Sequence, residues 1–255
     1  MTDSMTVQRD DVERESILGR PAAVVCDMDG LLVDSERMER RVWQRVAREL
    51  AIDLSDERFA TFVGHSGDRN DALLRHYFGE DFDVPRFRSM CHRGFRELVE
   101  SEGVAMRPGA REWLAFVSDL GIPLGLATSS GPAAVRERLG DVLHLFAAIA
   151  TRADVEHGKP HPDLYLEAVR RLGIAPATAI AIEDSPAGTQ AALAAGMQVV
   201  VIPDLIQPPE DLAPQLAAVF PSLDALREAV ASSWPAAPVR APRPAPLPTA
   251  RDTTG

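Results

Sequence analysis

The run Ala22-Ala23-Val24-Val25-Cys26 is apolar without alternation, and Asp27-Met28-Asp29-Gly30 follows it at once. A short run with no polar face predicts a strand covered on both sides, as in the middle of a parallel sheet. The two carboxylates at its end constrain the chain further. Successive side chains leaving a strand point to opposite sides, but a turn beginning at Asp27 brings both acids to one pocket. Strand ends of open α/β sheets are where ligands bind. Two carboxylates held this close repel each other unless a divalent cation lies between them or one keeps its proton. Both conditions suit phosphoryl transfer. Alone, the same residues also read as a solvated Asp-x-Asp-Gly turn.

After this strand the pattern changes. In Arg37–Leu50, the spacing of Met38, Val42, Trp43, Val46 and Leu50 predicts an amphipathic helix, with Asp34 or Ser35 as its cap. Further helices are expected over 57–63, 69–77 and 84–100, with no strand among them. Strand and helix patterns then alternate: helix 108–120, strand 122–127, helix 132–139, strand 146–151, helix 162–172, strand 178–182, helix 186–195, strand 198–202 and helix 223–231. Such alternation predicts an α/β fold, a Rossmann-like parallel sheet with helices on both faces. The expected organisation is a loose tail over 1–19, an α/β core over 20–35 and 106–233, a helical insert over 36–105, and a Pro/Ala-rich disordered tail over 234–255.

Four strand ends carry groups that phosphate chemistry uses. The first gives Asp27 and Asp29. The second gives Thr128 and Ser129, followed by a helix start whose free N–H groups attract anions, although these residues also read as a plain cap. The third region gives Lys159, within Gly158-Lys159-Pro160. Of the 27 basic residues it is the one lysine, which marks a place where a compact ammonium is wanted over the wider arginine fork. The fourth gives Glu183 and Asp184, adjacent carboxylates that resemble hard-cation ligands.

In this order, residues 21–232 resemble the haloacid dehalogenase-like hydrolase superfamily, in the branch similar to β-phosphoglucomutase and the small sugar-phosphate phosphatases. The insertion point matches too, since that branch carries a helical cap domain after its first motif. The resemblance implies that Asp27 is the nucleophile, forming an aspartyl-phosphate, and that Asp29 is the general acid and base. Thr128, the Ser129 backbone and Lys159 would hold the phosphoryl group. Mg²⁺ would be bound by Asp27, the Asp29 carbonyl oxygen and Asp184, with Glu183 also at the metal, directly or through water. Asp29 argues against a dehalogenase, which needs no proton for its leaving group, and the absence of a cap lysine argues against a phosphonatase. The histidine found ten residues after the second aspartate in β-phosphoglucomutase-like proteins is replaced by Glu39, which favours transfer to water. His65 and Arg69, in the polar loop Gly64–Arg69, are the candidates for substrate specificity; for His157, His161, Arg93 and Arg107 a structural or surface role is expected. Hinges are expected near Ser35 and Arg107.

The expected activity is hydrolysis of a small phosphomonoester, a sugar or polyol phosphate. A mutase, or a binding protein on the same fold, is the alternative. The net charge of −11 leaves no broad basic face for nucleic acid. No stretch reaches the length of a membrane span, no secretory leader is visible, and two cysteines make no disulfide framework. The expected partner is a small phosphorylated metabolite, and the expected state a cytoplasmic monomer or small homo-oligomer.

Overall fold

The computed structural model describes residues 18–62, 67–204 and 209–235. Among them are six parallel strands: β1 (Ala23–Cys26), β2 (Leu124–Ala127), β3 (Phe146–Ala150), β4 (Ala179–Glu183), β5 (Gln198–Val201) and β6 (Ala218–Val219). Their order is β3-β2-β1-β4-β5-β6, with every neighbouring pair parallel. β1 is central, and the chain winds outward from it in both directions. Val24 and Cys26 face one apolar cluster and Val25 the other, so both sides of the strand are covered. That is why its sequence shows no polar alternation.

The helices are α1 (Ser35–Glu49), α2 (Asp56–Ala60), α3 (Gly67–Phe78), α4 (Val84–Glu102), α5 (Ala110–Asp119), α6 (Pro132–Leu139), α7 (Asp163–Leu172), α8 (Pro186–Ala194) and α9 (Leu223–Val230). One face of the sheet packs on Trp113, Leu114 and Val117 of α5 and on Leu223, Leu226 and Val230 of α9. On the other face, Ala127, Ala150 and Ala181 of the strands meet Ala168, Ala191 and Ala192 of α7 and α8. The small side chains let these helices lie close to the strands.

Helices α1 to α4 pack around a third apolar cluster that includes Val42, Val46, Phe59, Phe62, Leu74 and Phe87. Trp43 meets Phe59 and Phe87 edge-on, with ring centres 5.7 and 5.1 Å apart. The two connections to the sheet run side by side. Val33 and Met106 form an antiparallel bridge, and the Asp34 and Arg107 amides donate to the Ala105 and Leu32 carbonyls. Arg107 also pairs with Asp204, both largely buried.

Several expectations are corrected. Asp34 precedes α1 without capping it through its side chain; it accepts from Arg37 instead, and Ser35 is buried. α5 starts at Ala110, because Gly109 is left-handed and Pro108 belongs to the turn. The sixth strand was not expected, being two residues at a sheet edge with no periodicity to read. Leu18, assigned to a loose tail, is 2% exposed, and Trp234, assigned to a disordered one, is 1% exposed. The Trp234 indole donates to the Leu18 carbonyl at 3.1 Å and lies against Trp113, tying both ends of the described chain to the core. Most of the Pro/Ala-rich segment lies outside the described residues.

Replacing Trp234 with Ala empties a site between α5 and Leu18, and is expected to cost about 3–5 kcal/mol. The urea unfolding midpoint measures this, and an unchanged midpoint would mean that the indole contributes nothing to the core.

Candidate active site

Since β1 lies between β2 and β4, the carboxyl ends of these three strands are adjacent. Each ends one residue before, or on, a functional group: Asp27 after β1, Thr128 after β2, Glu183 closing β4 with Asp184 next. Lys159 arrives from the loop before α7. Its ammonium donates to Asp27 Oδ1 and Glu183 Oε1, each at 2.5 Å. The Tyr165 hydroxyl also donates to Glu183 Oε1, at 2.6 Å. Glu183 Oε2 accepts from the Asp184 and Ser185 amides and the Ser185 hydroxyl, at 3.1–3.2 Å. Donors therefore engage both oxygens of Glu183. Gly188 makes room for that carboxylate: any Cβ there would collide with it.

Asp27, Glu183 and Asp184 each bring one carboxylate oxygen within 4.8 Å of the others, and all three are buried. One lysine leaves this group with excess negative charge. Burial pushes Asp27 up to about 7, opposed by Lys159 and reinforced by Glu183 and Asp29. Burial also pushes Asp184 well above the carboxylate range, with Asp27, Glu183 and Glu36 adding to it. Burial alone would lower Lys159, but Asp27 and Glu183 outweigh it and hold the ammonium charged. Asp184 Oδ1 is buried with no hydrogen-bond partner. An orphaned oxygen within a set of hard oxygen donors fits a hard divalent cation such as Mg²⁺. Gly30, at φ +85°, lets Asp184 approach, because a Cβ there would collide with its carboxylate.

The Asp29 side chain takes no part in this cluster. Its Oδ2 accepts from the Ser130 hydroxyl at 2.7 Å and from Thr128 Oγ1 at 3.5 Å, and its Oδ1 accepts from Arg138 Nη1. The Ser130 amide in turn donates to Thr128 Oγ1 at 3.0 Å, and Ser129 is exposed. Beside Asp29 opens a cleft of about 450 Å³ between α1, α4 and Arg138 of α6, its walls including Glu39, Trp43, Asn70, His92 and Phe95. Water reaches Glu39 through this cleft. Even so, lost solvation within the cleft pushes its carboxyl up to about 7, with Asp29 adding and Arg138 opposing. Glu36 is pushed up to about 8, first by burial and then by Glu39, Asp204, Asp29 and Asp27.

Of the residues expected from sequence, Asp27, Lys159, Glu183 and Asp184 form one cluster, with Asp29 and Thr128 beside it. His65 lies outside the described residues. Arg69 is exposed at the start of α3, and it is the next residue, Asn70, that lines the cleft. His157 pairs with Asp163 and lies against His161. Sequence reasoning missed Arg138, Tyr165 and Ser130. Ser130 sits inside the motif already read, whereas Arg138 lies two helical turns beyond it with no local signal.

The chain belongs to the haloacid dehalogenase-like hydrolase family, whose model matches residues 21–196. It is 32% identical to hexitol phosphatase A of Escherichia coli over 182 residues, 69% of this chain and 80% of that protein. It is 31% identical to the phosphorylated carbohydrates phosphatase of Thermotoga maritima over 178 residues, 69% and 82% of the two chains. Among solved structures, a family hydrolase from Deinococcus radiodurans with bound phosphate and sodium superposes with a TM-score of 0.71 at 31% identity, over 85% of this chain and 97% of that one. The protein is thus a hydrolase with phosphatases among its relatives. Among the described residues no helix is long and apolar enough to cross a membrane.

The raised carboxyls have a consequence for the metal-free protein. Asp27 and Glu36 lose their protons near 3.8 and 4.5 when unfolded, but near 7 and 8 when folded. The native state then binds more protons than the unfolded state, so stability falls as pH rises. In EDTA, the thermal unfolding midpoint is expected to drop steadily from pH 4 to pH 8. A midpoint that rises over that range would contradict the direction of these shifts.

Proposed function

We propose that the protein is a Mg²⁺-dependent phosphatase that hydrolyses a sugar or polyol phosphate through an aspartyl-phosphate intermediate. The observation that carries this reading is the buried cluster of Asp27, Glu183 and Asp184 around a single lysine, with Asp29 beside it on separate donors. Asp27 and Asp184 would hold the metal together with the Asp29 carbonyl oxygen. Glu183, whose oxygens are engaged, serves mainly to fix Lys159. Bound there, Mg²⁺ supplies positive charge against the carboxylates and the phosphoryl oxygens.

With Oδ1 of Asp27 held by Lys159, Oδ2 attacks phosphorus. The bond from Oδ2 to phosphorus forms as the bond to the leaving oxygen breaks, and that oxygen takes the proton of Asp29. Asp29 then accepts a proton from water as the water oxygen attacks phosphorus, releasing phosphate and restoring Asp27. Thr128, the Ser129 amide and Lys159 hold the phosphoryl oxygens. In this reading helices α1 to α4 act as a cap over the cleft, where the leaving group sits and water is excluded. His65 remains a proposed specificity contact of that cap, and Asn70 takes the place expected of Arg69 in the cleft wall. The small-molecule substrates of the named relatives support a metabolite as partner. The buried free thiols Cys26 and Cys91 suit a reducing, cytoplasmic location. The alternative is a mutase, and Glu39, lining the cleft where such enzymes place a histidine, weighs against it.

Phosphate release from a panel of sugar phosphates, with Mg²⁺ and with EDTA, tests this reading. Release is expected only with Mg²⁺, and Asp27→Asn is expected to reduce it by at least 10³-fold on the scale of removing a nucleophile. Conversion of glucose 1-phosphate to glucose 6-phosphate without release would establish the mutase. Calorimetric titration is expected to show Mg²⁺ affinity falling further in Asp184→Asn than in Glu183→Gln, where loss of an outer partner costs roughly 10–100-fold. Equal losses would make Glu183 a ligand of the metal.

A further inference from the structure

Arg138 joins parts of the site that are otherwise separate. It lies in the last turn of α6 with its side chain 12% exposed. Its Nη1 donates to Asp29 Oδ1 and, at 3.2 Å, to the Ser130 hydroxyl, which itself donates to Asp29 Oδ2 at 2.7 Å. Arg138, Ser130 and Asp29 thus close a triangle that holds both carboxylate oxygens. The guanidinium carbon also lies 4.9 Å from the centre of the Phe95 ring. Phe95 is on α4, so one cation touches both Asp29 and the helical insert.

An ion pair of this kind is weak support for stability by itself, because desolvation offsets the attraction. Here the cost is higher still, since Nε of Arg138 is buried without a partner. Packing gives no reason for an arginine at this position, but function does. Asp29 has two rotatable bonds and must meet one leaving oxygen, and a misplacement of about 1 Å costs roughly 100-fold in rate. Donors on both of its oxygens hold it in one orientation.

We propose that Arg138 is the positioning residue for Asp29, and that its stacking on Phe95 ties the orientation of Asp29 to the seating of the insert. This inference rests on the phosphatase reading, with Asp29 as the group that protonates the leaving oxygen. One side chain does both tasks: Nη1 meets the carboxylate and Ser130 while the guanidinium lies over the ring. Lysine supplies charge without the plane.

The test compares kcat/KM for two substrates: the sugar phosphate that the wild type hydrolyses fastest, and p-nitrophenyl phosphate. The first leaves as an alkoxide that needs a proton, whereas the second leaves as a stable phenolate that needs none. kcat/KM covers the steps through departure of the leaving group and so isolates the acid role of Asp29. Arg138→Gln is expected to lower kcat/KM on the sugar phosphate by roughly 10–100-fold, within what general acid catalysis supplies. The loss on p-nitrophenyl phosphate, whose phenolate needs no proton, is expected to be the smaller of the two. Arg138→Lys should recover part of the loss. Phe95→Leu, which keeps the core apolar should Arg138→Gln fold poorly, should show a smaller loss with the same selectivity. Equal loss on both substrates, or loss on neither, would overturn the proposal, and an unselective Phe95→Leu would overturn the link to the insert. A wild type inactive on every phosphate ester would instead remove the phosphatase reading, and this inference with it.

Discussion

The sharing of one ammonium between Asp27 and Glu183 is the interaction on which the rest of the site depends. Lys159 is 7% exposed, and the acids it joins come from the ends of two neighbouring strands. Taking the lysine away would leave the buried carboxylates uncompensated, and breaking a buried pair typically costs about 3–5 kcal/mol. The arrangement also accounts for the single lysine in a chain otherwise using arginine. A point charge fits between two carboxylates on adjacent strands, where a planar fork would force the strand ends apart. Tyr165 on the same oxygen, and the Asp184 and Ser185 amides with the Ser185 hydroxyl on the other, then fix Glu183, so the position of Lys159 is set by the fold rather than by its own flexible stem.

The turn after β1 divides the labour between its two aspartates. Asp27 stays with the acidic cluster, and Asp29 faces the hydroxyls of Thr128 and Ser130 and the guanidinium of Arg138. In the proposed mechanism these two are the nucleophile and the proton carrier. Here the first sits among carboxylates and a lysine, the second among neutral donors and an arginine. Residues two apart on a strand share a face, so it is the turn after β1, with Gly30 at φ +85°, that separates them.

The first five strands were legible in the sequence because each is a short apolar run bounded by polar turns, and because the polar turns carry the chemistry. Asp27, Lys159, Glu183 and Asp184 could be picked out on that ground, and the structure brings them together. What was not legible depends on contacts between distant segments. Trp234 sits in a stretch whose composition reads as disordered, and its burial follows from a groove between α5 and Leu18 that no local pattern encodes. Arg138 reads as an ordinary exposed helix position until α6 is set beside α4. Asp34 has the composition of a cap, but Arg37 competes successfully for its carboxylate. In the helical insert, Arg69 carried the chemistry expected of the cleft, while the helix phase turned Asn70 toward it.

The bridge between Val33 and Met106 gives the insert a property of its own. Its two ends emerge side by side, so the sheet experiences everything from α1 to α4 as one tight loop. Closing such a loop costs chain entropy that grows only with the logarithm of its length. A helical body of another size or shape could hang from the same bridged pair of connections without shifting the register of β1 against β2 or β4. The strand-end cluster and the helical insert beside it are therefore free to change on separate schedules.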